Sequence, residues 1–383
     1  MKISKSHLLD GKTISITGSK SISNRLLILG KLFGDLKIEN LSNSQDTQLL
    51  QKALNEDSET VDIHHAGTAM RFLTSFYAIQ EGRKTILTGS ERMKQRHIKP
   101  LVDALRELGA EINYLENEGF PPLEIQGKKI EKNFVKIPAN ISSQFITSLL
   151  LIGASLENGL EIDLRGEITS RSYIKMTLKI LKDIGVETRF EGNTIKILSA
   201  ASSLSNQKLD RHYHSSKIKH YTVESDWSSA SYFYSLVAIG KKKMHLKSFY
   251  AHSLQGDSAL KEIYLKFFGV NTISDAGENK ITLLPDTHFQ YPEKFVLDMN
   301  DCPDIAQTVC VTCVALKLPF EIFGLGTLKV KETDRLIALQ NELEKIGCKT
   351  EITENSIKSL EFFESNSEIS IATYNDHRMA MSF

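Results

Sequence analysis

The sequence predicts an α/β protein built as an array of one α+β unit spread over two domains, and three observations carry that reading. Six short polar tips each open an apolar, helix-like run, and four further helices each stop at a glycine and run on into a strand. The chain, at 383 residues, is also longer than the about 250 to 300 residues beyond which single cores stop growing.

The tips, in order, are GSKSISNR around Ser21, HHAGTAMR around Gly67, ANISSQF around Ser142, ESDWSSASYF around Ser228, NDCPDIAQT around Pro303 and NDHRMAM around Asp376. The sixth run is cut by the end of the sequence. Each tip is expected to present the unpaired N–H groups and positive dipole end of a helix, dressed with Ser, Thr, Lys or Arg, and such ends favour anions. Between them lie ALRELGAEI, LKILKDIGVETRF, LKEIYLKFFGVNTI and LQNELEKIGCKTEI, whose helices stop at Gly109, Gly185, Gly269 and Gly347, because glycine leaves a helix through the left-handed region without a Cβ clash. The unit therefore reads strand, tipped helix, strand, glycine-stopped helix, strands. It recurs every roughly 75 to 85 residues after a shorter first interval, too long for a solenoid and about right for a small subdomain.

Composition is ordinary for a globular chain, with 41% apolar residues, 25% charged residues and a formal net charge of zero. No global positive field argues for nucleic acid, so anion chemistry must come from local placement. The N-terminal MKISKSHLLDGKTISI lacks an apolar core of signal-peptide length, and no run of about 18 apolar residues occurs, so the expectation is a cytoplasmic protein without a membrane segment. Cys310 and Cys313 have CxxC spacing inside IAQTVCVTCVAL, where buried, inert thiols are expected rather than a redox or metal pair. QKALNEDSETVD, NEGFPPLEIQGKK and the stretch carrying His212, His214 and His220 read as polar hairpins and loops, and no carboxylate or Cys completes a metal-ligand set among these histidines. His64 and His65 are adjacent, so on a strand they would point to opposite faces.

The chemistry concentrates in a few strings. GSKSISNR sets Lys20, Ser21 and Arg25 around a helix start; it is not a Walker loop, and it reads either as an anion grip or as a basic exposed turn. SERMKQRH crowds Arg92, Lys94, Arg96 and His97 into a loop, as expected if an anion sits among them or if the loop is simply solvated. In VKETDRLIALQNELEKIG the positions Leu336, Leu339, Leu343 and Ile346 mark an inward stripe, and Lys331 and Arg335, four apart, can share its helix face. Continued backwards, the stripe reaches Glu332, where desolvation would raise the carboxyl pKa and a lysine would lower it, a balance suited to proton transfer. The alternative is an exposed, salt-bridged first turn. Asp304 after Pro303 reads either as a helix cap or as a functional carboxylate.

Taken in order and at these separations, GSKSISNR, AGTAMR, RMKQR, SSQF, SRSY, DMNxxPD, KETDR and NDHRMAM resemble the 5-enolpyruvylshikimate-3-phosphate (EPSP) synthases, from about Lys12 to Phe383. The resemblance implies an inverse α/β fold of two domains, each of three βαβαββ repeats, with the last repeat incomplete. It places one domain at 19–224 and the other at 1–18 plus 225–383, crossovers near Gly18 and Glu224, and helix ends facing an inter-domain cleft. It implies transfer of the enolpyruvyl group of phosphoenolpyruvate to the 5-hydroxyl of shikimate 3-phosphate, with phosphate released, in the shikimate route to aromatic amino acids. No metal, cofactor or covalent intermediate is implied, the partners are the two small-molecule substrates rather than nucleic acid or membrane, and a monomer is the family-like state.

The resemblance also carries residue roles. Lys20, Ser21, Arg25, Ser142, Ser143, Gln144, Ser170, Tyr173, Asp304, Thr327 and Lys331 match shikimate 3-phosphate contacts. Lys20, Gly67, Arg96, Gln144, Arg335, His377 and Arg378 match phosphoenolpyruvate contacts. Asp304 would be the base, Glu332 the proton donor, and Lys331 a bridge between substrates. Glyphosate would compete for the phosphoenolpyruvate site, and Gly67→Ala would weaken it. His65 and Thr327 depart from the family's usual Asn, and the family continues beyond NDHRMAM to a further lysine, so a truncated chain with weaker phosphoenolpyruvate binding is expected. The alternatives are the sister UDP-N-acetylglucosamine enolpyruvyl transferase, which uses a cysteine in the arginine loop, and a non-catalytic anion-binding scaffold.

Overall fold

A computed structural model describes residues 6–34, 36–140, 142–199, 220–365 and 368–383. His212 and His214 lie outside the described residues; His220 lies on a strand and meets Glu39 at 2.8 Å. The chain divides into two compact units, Thr17–Val223 and Glu224–Phe383 with the N-terminal segment up to Ile16.

The first unit carries α1 (Lys20–Phe33), α2 (Gln45–Asn55), α3 (Gly67–Ala78), α4 (Lys99–Leu108), α5 (Ser143–Gly153) and α6 (Arg171–Asp183). Its two four-stranded sheets run, side by side, Thr60–Asp62, Lys84–Thr88, Leu123–Gln126, Glu111–Tyr114 and Phe134–Pro138, Leu160–Arg165, Thr194–Ile197, Thr188–Glu191. In each, the first pair is parallel across a tipped helix and the rest are antiparallel, which is the βαβαββ repeat. A further parallel pair joins Lys37–Glu39 to His220–Thr222. The second unit carries α7 (Trp227–Gly240), α8 (Leu260–Phe268), α9 (Ala306–Ala315), α10 (Arg335–Lys345) and α11 (His377–Ser382). Its sheets repeat the same order: Lys12–Ser15, Met244–Lys247, Lys280–Pro285, Val270–Asp275, then Phe295–Asp298, Phe320–Phe323, Ile357–Phe362, Cys348–Ile352. The N-terminal strand thus pairs in parallel with Met244–Lys247.

All six tips open helices, and the four stop glycines take positive φ, from 65° at Gly269 to 111° at Gly109. Three expectations need correction. First, not every tip leaves its amides open. Ser142 caps α5 through the Gln144 N–H, Asp226 caps α7 through that of Ser229, and Asp376 caps α11 through those of Arg378 and Met379. Of the tipped helices, α1 and α3 begin without a side-chain cap, and so does α9, which follows an equally uncapped 3-10 turn at Pro303–Ile305. A polar N-cap side chain takes the very donors an anion would use. Second, QKALN is not loop but the end of α2, where Ser44 accepts from the Thr47 N–H and Leu50, Ala53 and Leu54 turn inward. Third, His64 sits past its strand on a turn with φ of 49°, so the two imidazoles meet, Nδ1 to Nδ1, at 2.9 Å instead of diverging.

The tipped helices form the centre of each unit. In the second, Ser231 of α7, Thr308 of α9 and Ser382 of α11 meet through hydroxyl contacts of 2.9 and 3.3 Å, over a core with Trp227, Tyr234, Tyr264 and Phe268. In the first, Ser75 of α3 meets Ser148 of α5 at 2.6 Å. Small hydroxyls allow close helix packing while satisfying one another, since an unpaired buried hydroxyl costs roughly 1–3 kcal/mol. Cys310 and Cys313 lie fully buried on α9, where burial pushes both thiols far up, as inert core residues should be. No helix among the described residues is long and apolar enough to cross a membrane.

Candidate active site

The sequence-predicted residues fall into two constellations, one in each unit. In the first unit the organiser is Arg25. It is buried, its pKa pulled down to about 10 by burial, so it stays charged at neutral pH. Its guanidinium donates to Thr177 Oγ1 at 2.8 Å, Ser21 O at 2.6 Å, Thr147 Oγ1 at 3.3 Å and Tyr173 O at 3.4 Å, and it lies over the rings of Phe72 and Tyr173. One side chain thereby ties the start of α1, with half-buried Lys20 and Ser21, to α5, with Ser142, Ser143 and Gln144, and to α6, with Ser170 and Tyr173. Ser170 precedes α6 with φ of 51°, an uncommon conformation for serine.

The α3 tip joins this group through Gln144, whose Nε2 lies 3.5 Å from Thr68 Oγ1. Gly67, the first residue of α3, is where the absence of a side chain matters. A Cβ there would stand 2.3 Å from Arg96 Nη1, so glycine admits the guanidinium to an uncapped helix start. Within SERMKQRH the lysine is paired with carboxylates. Lys94 turns to Glu116 at 2.9 Å and Glu91 at 3.3 Å, and Arg92 reaches Gln95. Arg71 holds the loop by donating to His97 O at 3.2 Å and Gly67 O at 3.1 Å. The loop thus pairs its lysine with carboxylates and sets Arg96 against the start of α3.

The second constellation is a compact cation and carboxylate lattice. Arg335, with 2% of its side chain exposed, donates to Asp376 at 2.7 Å, Glu332 at 2.7 Å and Asp304 at 3.1 Å. Asp304 also meets Lys331 at 3.4 Å and Arg378 at 3.5 Å. Arg378 donates to Asp304 O at 2.9 Å and approaches Ser228 Oγ at 3.3 Å. Burial pulls Lys331 down, with Asp304 opposing the shift.

Two sequence alternatives resolve here. Asp304 is not a cap: it lies inside the 3-10 turn Pro303–Ile305 and faces three cations. Glu332 and Lys331 are not on the helix. α10 begins at Arg335, because Asp334 accepts from the Leu336 and Ile337 N–H groups and fixes the start there. Lys331 and Arg335 converge on Asp304 although they share no helix face, and Glu332 is neither inward on the stripe nor freely exposed. Thr327 lies one turn earlier, in the 3-10 segment Gly326–Val330, with Oγ1 buried and no hydrogen-bond partner among the described residues. His377 is exposed at the start of α11.

Asp257 escaped the sequence reading. In the 3-10 turn Gly256–Ala259, it is buried and accepts a hydrogen bond from Ser228 Oγ. Burial, reinforced by Asp304, pushes it up to about 7. The only signal was an acid in LQGDSAL just before an apolar run, indistinguishable from a first-turn carboxylate. No group of three or more His, Cys, Asp or Glu placed to hold a metal ion occurs among the described residues.

Repeated βαβαββ units whose tips carry cations beside acid residues are what the resemblance to the enolpyruvyl transferases implies. The fold matches two solved EPSP synthase structures from Acinetobacter baumannii, each with a TM-score of 0.69 over 98% of this chain and 89% of theirs, at 19% and 18% identity. The chain belongs to the EPSP synthase (3-phosphoshikimate 1-carboxyvinyltransferase) family, whose model matches residues 51–383. It is similar to the 3-phosphoshikimate 1-carboxyvinyltransferase of Bacteroides fragilis (strain YCH46), 44% identical over 97% of this chain and 87% of that protein. It also resembles that of Haemophilus influenzae (strain Rd), 36% identical over 97% of this chain and 88% of that protein.

Proposed function

We propose that the protein transfers the enolpyruvyl group of phosphoenolpyruvate to the 5-hydroxyl of shikimate 3-phosphate, releasing phosphate, in the shikimate pathway to aromatic amino acids. The observation that carries the reading beyond family membership is Asp304 held among Lys331, Arg335 and Arg378 with Glu332 on the same arginine. An acid, a base and three cations stand within one lattice, which is what an addition and elimination between two polyanions requires.

In this reading Asp304 takes the proton of the 5-hydroxyl as its oxygen bonds to C2 of phosphoenolpyruvate, and Glu332 protonates C3. The tetrahedral intermediate then returns a C3 proton to Glu332 as the C2–O bond to phosphate breaks, which restores the double bond, and the proton on Asp304 passes to the departing phosphate. Lys331 bridges the two substrates, assisted by Lys20. Shikimate 3-phosphate is gripped by Lys20, Ser21, Ser142, Ser143, Gln144, Ser170, Tyr173 and Thr327, with Arg25 ordering their helices from below. Phosphoenolpyruvate is held by Arg96 beside Gly67, by Gln144 and by Arg335, His377 and Arg378. Arg335 and Arg378 must exchange a carboxylate for a substrate oxyanion, an even trade in charge that favours substrate only where the geometry is bidentate.

The sister reaction on UDP-N-acetylglucosamine is disfavoured because the loop SERMKQRH has no cysteine, and all four cysteines are buried elsewhere. We further propose a cytoplasmic monomer that binds neither nucleic acid nor membrane; sedimentation velocity of the purified protein checks the monomer. The activity is tested by phosphate release from phosphoenolpyruvate with each acceptor. Release with shikimate 3-phosphate alone is expected; release with UDP-N-acetylglucosamine alone would reverse the choice.

A further inference from the structure

The second unit contains a buried polar node that the chemistry above does not use. Glu224, where the chain enters that unit, is 2% exposed. It accepts from Trp227 Nε1 at 2.8 Å, the Tyr250 N–H at 3.0 Å, Ser253 Oγ, and Gln255 Nε2 at 3.0 Å. Gln255 is equally committed. Its Nε2 also donates to Ser225 O at 2.8 Å, and its Oε1 accepts from the N–H of Trp227, the first residue of α7, at 2.9 Å. Both N–H groups and the oxygen of this carboxamide are thus used, in one orientation, because the Glu224 carboxylate accepts and the Trp227 amide can only donate.

The node joins two short segments that end at the lattice. From Trp227 the next residue is Ser228, whose Oγ donates to Asp257 and lies 3.3 Å from Arg378. From Gln255 the chain reaches Asp257 two residues on. We propose that Gln255, oriented by Glu224, is a positioning residue for the phosphoenolpyruvate-side arginine: it locks the α7 tip to the Asp257 turn so that Ser228 and Asp257 fix the guanidinium of Arg378. This rests on reading Arg378 as a phosphoenolpyruvate contact. Fully satisfied buried networks specify one geometry, and a displacement of about 1 Å in a supporting group can cost on the order of 100-fold in rate.

Gln255→Leu removes the lock while keeping the volume, and Glu224→Gln sets an N–H against the Gln255 N–H, so the carboxamide must flip and abandon the α7 amide. Ser228→Ala leaves the node intact and cuts only its link to Arg378. Titration calorimetry should show phosphoenolpyruvate binding weakened about tenfold or more in all three, about 1.4 kcal/mol, with the Kd for shikimate 3-phosphate changed less than twofold. Retained shikimate 3-phosphate binding also reports that a variant is folded, and Ser228→Ala decides the matter if the node variants do not fold. Trp227 is the single tryptophan of the chain, so its emission should respond to phosphoenolpyruvate in the parent and lose that response in Gln255→Leu. Unchanged phosphoenolpyruvate affinity, or equal weakening of both ligands, would overturn the proposal. Lack of phosphate release by the unsubstituted protein counts instead against the proposed reaction, which these binding measurements do not need.

Discussion

Asp257 shows how far a single buried carboxyl can depart from its ordinary behaviour. Burial and Asp304 raise it from 3.8 to about 7, so the folded protein keeps a proton that the unfolded chain gives up above about pH 4. The native state then binds more protons across this window, and stability falls as pH rises from about 4 to about 7 and levels off beyond. Asp257→Asn should remove that slope, with thermal unfolding showing its largest gain over the parent near pH 8, on the order of a few kcal/mol. Parallel Tm profiles for the two proteins would contradict the assignment. Gly67 gives a second test, because an added methyl meets only the mobile end of Arg96. Gly67→Ala should fold with nearly unchanged Tm, yet raise the KM for phosphoenolpyruvate by about tenfold through a displaced guanidinium. Arg96, Arg335 and Asp304 were legible in the sequence because charged residues crowd there beside helix starts. Asp257 and the Glu224 and Gln255 pair were not, since their partners come from segments about thirty residues away and no local pattern encodes such a meeting.

At the scale of elements, caps decide what periodicity leaves open. The apolar stripe of α10 extrapolates back to Glu332, but Asp334 offers its carboxylate to two amides and stops the helix one residue later, freeing Lys331 and Glu332 to turn toward Asp304 and Arg335. Asp334→Ala should therefore cost about 1 kcal/mol in stability by denaturant unfolding and, by letting the helix start drift, should lower kcat more than it raises KM for either substrate. Loss of stability with kcat intact would show that the cap serves the helix alone. The same logic separates the tips. Acidic caps on α7 and α11 take amides at the dipole ends that the sequence offered to anions, as Ser142 does on α5. α1, α3 and α9 begin without a side-chain cap. α2 was lost among polar residues because its stripe is only Leu50, Ala53 and Leu54.

Across the whole molecule, one sheet order recurs four times among the described residues, and this repetition was readable because each repeat announces itself twice within a few residues, at its tip and at its glycine. Strand partnership was less readable. That Lys12–Ser15 pairs with Met244–Lys247 depends on contacts more than two hundred residues apart, and short alternating strands carry little register information on their own. The repeats leave Arg25 organising one constellation and Arg335 the other, so damage at each should be separable. Arg25→Lys, which loses the fork that reaches α5 and α6, should weaken shikimate 3-phosphate binding by calorimetry about tenfold or more; undiminished affinity would remove Arg25 from that role. The central claim is that Asp304, among its three cations, handles the proton of the acceptor hydroxyl, and it is tested most directly by phosphate release from phosphoenolpyruvate and shikimate 3-phosphate in the parent and in Asp304→Ala. The account predicts release by the parent and a fall of kcat by about 100-fold or more in the variant, with shikimate 3-phosphate still bound; turnover of the variant at the parent's rate would contradict it.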